Sequence, residues 1–146
     1  MKNLIGILTV VFVFASVGEG FSNGNLSKGK KFQEIQSQIK LIISDQISAF
    51  GSLDVDRAYL HASKSIKTIF PNSKIFGSMV KKSYPMIWNP KSFKFLAISE
   101  GPTGMLQRVM FTDQNSKMHF FDYALENNGD RWVISGVYVV QGEKGV

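Results

Sequence analysis

Acid/base work inside an apolar domain needs a carboxylate whose charge is disfavoured by burial, facing a hydrogen-bond donor such as a tyrosine. Asp122 is the one acid within an aromatic strand pattern, in HFFDYAL, and alternation turns it away from Tyr123. It is expected instead to pair with Arg108 across a hairpin. His119 and Asp122 lie three apart on that strand, so their side chains leave opposite faces and form no dyad. His61 could share a helical face with Asp54 or Arg57, but a histidine on a short surface helix is a solvated group first, and no role is assigned to it. With two histidines far apart, no H-x-x-x-H spacing and no cysteine, neither a transition-metal site nor a thiol nucleophile is expected. Gly101-Pro102-Thr103-Gly104 falls between two strands with no helix start to receive a phosphate, so it reads as a turn. The expected catalytic residues, metals and cofactors are therefore none.

The elements that would position a binding site are more legible. LQRVMFTDQNSKMHFFDYALENNGDRWVISGVYVV, Leu106 to Val140, reads as three antiparallel strands joined by two polar turns, Asp113–Ser116 and Asn127–Asp130. A fourth strand, Ser92–Ser99, precedes them, giving strands near 92–99, 105–113, 117–126 and 131–140. Upstream, Phe32, Ile35, Ile39, Ile42, Ile43 and Phe50 repeat at helical spacing, so a helix over 32–51 is expected. Asp54, Ser65 and Asn72 or Ser73 then open shorter helices that end before Pro71 and Pro85. Helices first and a meander after is an α+β layout, with the helices covering one face of a curved four-stranded antiparallel sheet.

Strand parity selects what could line a lumen under those helices. Gln107 shares its side with Val109 and Phe111, and His119 with Phe121, Tyr123 and Leu125. Trp132 and Tyr138, with Tyr59, Tyr84 and Trp88 from the helical layer, complete an aromatic lining with hydrogen-bonding tips. The competing reading is a packed core in which the same polar tips satisfy one another. On the outer side parity places Arg108, Met110, Thr112, Phe120, Asp122, Val133, Ser135, Val137 and Val139. That set is apolar enough to predict a homodimer centred on Val137 and Val139.

The N-terminus carries Lys2, an uncharged apolar run from Leu4 to Val17, and small residues at Ser16, Gly18 and Gly20. This is the pattern of a secretory signal peptide over residues 1–20, and the run is short of the ~20 residues a spanning helix needs. Residues 21–31 (FSNGNLSKGKK) read as a flexible leader, and 32–146 as a single domain that folds without disulfides. From Arg57 to Ser99 there are eight basic residues and no acid, so the helical layer is a candidate surface for an anionic envelope component. The aromatics follow core spacing, which argues against a nucleic-acid partner.

The helix segment Ile43–Phe50, the stretch YPMIWNP (84–90), the runs Gln107-Arg108-Val109 and Thr112-Asp113, and the closing WVISG (132–136) together resemble a family of exported bacterial proteins catalogued as a domain of unknown function. Its shape is similar to the nuclear transport factor two-like, or cystatin-like, cone. The resemblance implies a fold and an exported, periplasmic or secreted context, and it brings no activity. The expected function is a non-catalytic cell-envelope binding or interaction domain with a small aromatic lumen for an apolar ligand. The alternative is a small lumen enzyme using acid/base chemistry on an apolar substrate.

Overall fold

A computed structural model of the protein describes residues 23–141. Residues 1–20, expected from sequence to be a signal peptide, lie outside the described residues. Helices α1 (Asn23–Gly51), α2 (Val55–Leu60), α3 (Lys64–Ile69), α4 (Ser73–Ser83) and the single turn α5 (Pro85–Trp88) precede strands β1 (Ser92–Gly101), β2 (Gly104–Thr112), β3 (Met118–Asn127) and β4 (Trp132–Val139). The strands form one antiparallel sheet in the order β1-β2-β3-β4, the expected meander.

Helix α1 begins at Asn23, so the stretch read as a leader up to Lys31 continues the helix instead of preceding it, with its side chains from Gly24 onward in solvent. Composition alone hid this, because Gly24 and Gly29 cost helix stability that continuity with the long downstream helix offsets. Farther along, Ile39, Ile43, Ile47 and Phe50 are fully or nearly fully buried on one face. The helix does not end on a left-handed glycine. Leu53 takes that conformation (φ 61°), and the Asp54 N–H then donates to the Ala49 carbonyl, turning the chain into α2.

Asp54 caps α2, Ser63 caps α3 and Asn72 caps α4, each side chain accepting a main-chain N–H from the first turn. The cap of α3 is Ser63, two residues before the expected Ser65, whose hydroxyl is hydrogen-bonded to that of Ser63 at 2.8 Å. Gly77 lets α4 approach α2: a Cβ there would lie 2.5 Å from Val55 Cγ1. The helices cover the sheet face made by Val109, Phe111, Phe121, Tyr123 and Leu125, all buried. Met79 and Trp132 are only partly buried and pack against this core.

Two register shifts depart from simple alternation. One falls in β1 between Phe95 and Ile98; the other sets Ala124 opposite Gly136 but Leu125 opposite Ile134. The extra residue on β4 is a β-bulge around Ser135, and it exchanges the two faces of the strand beyond that point. Val137 pairs with Tyr123 and Val139 with Phe121, so both stand on the helix side of the sheet. Tyr138 pairs with Asp122 and stands on the outer side, 59 % exposed. Unbroken alternation had put all three on the wrong faces, and the expected centre of a dimer at Val137 and Val139 is not on the outer face at all. Arg108 and Asp122 do meet there, Nε to Oδ1 at 2.9 Å and Nη2 to Oδ2 at 3.0 Å, as the hairpin pairing requires.

Candidate functional site: an apolar lumen beside the β4 edge

Between the helical layer and β3–β4 lies a cavity of about 250 Å³. Every layer contributes to its wall: Gln46 and Phe50 from α1, Phe76 and Met79 from α4, Tyr123 from β3 and Ile134 from β4. Ile66, Phe70, Tyr84 and Ile87 close the helical side, while Gly136, Val137 and Tyr138 bring in the edge strand. The wall is apolar because the inward stripe of each helix and the inward face of β3 meet there. Phe50 lies 6.0 Å from Phe76 and 5.3 Å from Trp88 between ring centroids, so the aromatic wall is braced from behind.

Of the eight residues expected to line a lumen, three reach it. Tyr84 does so from the end of α4, edge-on to Phe121 at 6.0 Å. Tyr123 does so from the middle of β3, and Tyr138 borders the cavity at the edge strand although it stands on the outer side of the sheet. Tyr123 is the polar centre of the site. It is fully buried, its hydroxyl has no hydrogen-bond partner, and burial pushes the phenol above the ordinary tyrosine range, which keeps it a neutral donor.

The other five stand elsewhere, each for a local reason. Gln107, directly opposite Tyr123, turns its amide along the sheet and donates to the carbonyls of Leu96 (3.1 Å), Ala97 (3.3 Å) and Arg108 (2.9 Å). Leu96 and Ala97 lie in the β1 irregularity, outside the ladder register, so two of these three bonds serve the bulge, which is a structural task. His119 lies toward the turn end of β3, where its Nε2 is 2.8 Å from Asp113 Oδ2. Asp113 also accepts from the main-chain N–H groups of Asn115 and Lys117, and the His119 hydrogen bond is the first cause of its lowered pKa. Tyr59 packs on Phe76 with its hydroxyl donating to the Phe70 carbonyl, Lys67 over its ring. Trp88 lies behind Phe50 under the Lys81 ammonium, and Trp132 is at the far end of β4 opposite Asn127.

Two groups were missed from sequence. Gln46, 3 % exposed, lines the cavity and donates from Nε2 to the Ala58 carbonyl at 3.3 Å. Its place three residues after Ile43 and four before Phe50 puts it on the buried stripe of α1, and that spacing was the available signal. The second is a charged clasp. Asp45 takes Arg57 Nη2 at 2.9 Å and has His61 Nε2 at 2.6 Å from its other oxygen. The hydrogen bond from Arg57, then that from His61, holds the Asp45 carboxyl below the usual carboxylate range. His61, expected to be solvated, is thus bound, and its own carbonyl accepts the Ile134 N–H at 2.8 Å while the Ser63 N–H donates to the Ile134 carbonyl. The 61–63 link thereby pairs with β4 in parallel fashion, at Ala62 opposite Ile134.

No carboxylate, histidine, lysine or arginine is among the residues lining the cavity, and among the described residues no cluster of three or more metal-ligating side chains occurs. No described helix is long and apolar enough to cross a membrane. Compared with known proteins, residues 33–145 match the model of one family, the domain of unknown function DUF4864. No curated protein matches the chain. No solved structure matches it either.

Proposed function

Since the chain belongs to that family of unknown function, whose model spans nearly all of the described fold, we propose that the protein is a non-catalytic binding domain whose lumen takes a small, neutral, mostly apolar molecule. The observation that carries this reading is the orphaned Tyr123 hydroxyl in the wall of a mostly apolar cavity. A buried hydroxyl without a partner costs about 1–3 kcal/mol, and a ligand carbonyl or hydroxyl would recover that cost. Scaling from the ~150 Å³ cavity that accepts benzene, this one suits roughly ten non-hydrogen atoms. An anionic ligand finds no cation in the lining, so a carboxylate is disfavoured. The acid/base alternative draws no support from a lining without a carboxylate. Export to the cell envelope and kinship with the nuclear transport factor two-like cone belong to the same proposal; the apolar run Leu4–Val17 supports the first, and helices over one face of a four-stranded meander support the second.

The test uses 1-naphthol, an aromatic body with one hydroxyl, titrated calorimetrically into the protein and into Tyr123→Phe. Saturable one-site binding that weakens about tenfold in the variant is expected, the loss of one neutral hydrogen bond. The unliganded variant should be as stable as the parent or more so, because the change removes an unpaired buried hydroxyl. Absence of saturable binding, or equal affinity in both proteins, overturns the reading.

A further inference from the structure

The outer edge of β4 is only half used. Ile134 directs its N–H and C=O away from β3 and pairs them with His61 and Ser63. Beyond the bulge the Val140 N–H returns to β3, donating to the Phe120 carbonyl at 2.9 Å. In an antiparallel ladder the residues facing the partner alternate with residues facing away, so Tyr138 and Gly136 point their main chain at β3 while Val137 and Val139 point theirs outward. Among the described residues, no main-chain hydrogen bond reaches those outward groups.

This free edge lacks the usual protection. From Ser135 to Val139 it carries no charge and no proline, its residues are largely β-branched or aromatic, and Tyr138 and Val139 are 59 % and 58 % exposed. Natural sheets blunt such edges or use them. Here the edge adjoins the apolar cavity, since Gly136, Val137 and Tyr138 line it. Main-chain donors and acceptors in a row, next to an apolar hollow for a side chain, are the two halves of recognition by strand addition. The 61–63 link shows that this edge accepts a neighbouring strand one residue before the bulge.

We propose that the β4 edge beyond Ile134 binds an extended, uncharged, β-branched peptide segment of a partner protein as an added strand, with one apolar side chain of the peptide entering the cavity. The assignment rests on the lumen being a binding site and names what fills it: a side chain of a peptide held by its backbone.

Heptapeptides displayed on phage are selected on the full-length protein, and the enriched sequences are synthesised for titration. Enrichment of alternating apolar, β-branched sequences is expected. The discriminating variant is Val139→Pro, which removes one outward N–H and no β3–β4 hydrogen bond, a position where an edge strand tolerates proline. It should weaken peptide binding about tenfold or more while leaving 1-naphthol binding unchanged. Should the proline variant fail to fold, peptides methylated on alternate main-chain nitrogens, titrated against the unaltered protein, make the same test by losing affinity on one register only. Failure to enrich any peptide, or affinity unmoved by both changes, overturns the proposal. Naphthol binding without peptide binding refutes strand addition alone; peptide binding without naphthol binding refutes the small-ligand reading alone.

Discussion

The β2–β3 pair at the centre of the sheet and the β4 strand at its edge are built from the same alternation and behave differently. Along β2 and β3 buried and part-buried residues alternate without a break from Met105 to Phe111 and from Phe121 to Leu125. Along β4 the pattern fails at Ser135, two adjacent residues, Val133 and Ile134, are both buried, and the strand ends in solvent. The centre is flanked by hydrogen-bonded strands on both sides, so a slip of one residue would expose its whole apolar set, and register is strongly specified. An edge strand has one partner only and can absorb an extra residue. The bulge places Val137 beside the lumen, leaves its main chain open outward, and so brings cavity and free edge together. Regular structure supports the core here, and the irregular strand supplies the site.

The largest expected effect sharpens that contrast. Phe111→Ala removes a fully buried ring that packs against Phe93, Phe121 and Tyr123 at centroid distances of 6.1, 5.8 and 6.3 Å. It should cost about 3–5 kcal/mol in urea unfolding. Val139→Ala, on the same sheet face but 58 % exposed, should stay within about 0.5 kcal/mol. Comparable losses at both positions would mean that the edge is packed as tightly as the centre, and the contrast would collapse.

The extent to which sequence reveals this molecule divides along the same line. The four strands, their order, the Asp54 and Asn72 caps and the Arg108–Asp122 pair were legible, because each follows from local alternation or from capping chemistry within a few residues. Tyr84 and Tyr123 were placed correctly in the lumen for the same reason. Tyr138, Val137 and Val139 take sheet faces opposite to those expected, although Tyr138 still borders the cavity, since nothing in SGVYV marks which residue is the extra one; only the pairing to β3 decides. Gln107 was assigned to the lumen on correct parity. Its amide went to the β1 bulge, an irregularity that its own neighbourhood in sequence does not announce. The Asp45–His61 clasp joins residues sixteen apart, one on α1 and one just past the end of α2, a distance over which no periodicity reports.

Two glycines carry the comparison to backbone scale, with a smaller effect. A Cβ on Gly104 would lie 2.1 Å from the Leu125 carbonyl oxygen, so alanine there has to push β2 and β3 apart. About 1–3 kcal/mol is the expected loss, the range for forced overpacking. A Cβ on Gly136 would lie 2.6 Å from the Tyr138 hydroxyl, the far end of a side chain that is more than half exposed and free to turn away. Gly136→Ala should therefore cost well under ~1 kcal/mol and be seen chiefly as a changed Tyr138 ring resonance in NMR. If Gly104→Ala were the milder of the two, the centre would be the more adaptable region and the contrast with the edge would be reversed.

The smallest effect is electrostatic and should loosen the edge while sparing the centre. In the folded protein the hydrogen bonds from Arg57 and His61 lower the Asp45 pKa below its ordinary value. A carboxylate with a depressed folded pKa contributes stability that is complete above the unfolded value, and that contribution is lost as pH falls through the folded one. Asp45 is 43 % exposed, so solvent screening keeps the clasp within the range of surface pairs, about 0.2–1 kcal/mol. Its consequence is local. His61 carries the carbonyl that accepts the Ile134 N–H, so acidification below the unfolded carboxylate value of 3.8 should raise amide exchange at Ile134 more than at Val109. Asp45→Asn at neutral pH, which removes the charge without changing the shape, should reproduce the selective rise. Equal acceleration at Ile134 and Val109 in that variant would show that the clasp supports the whole domain instead of the edge to which it is joined.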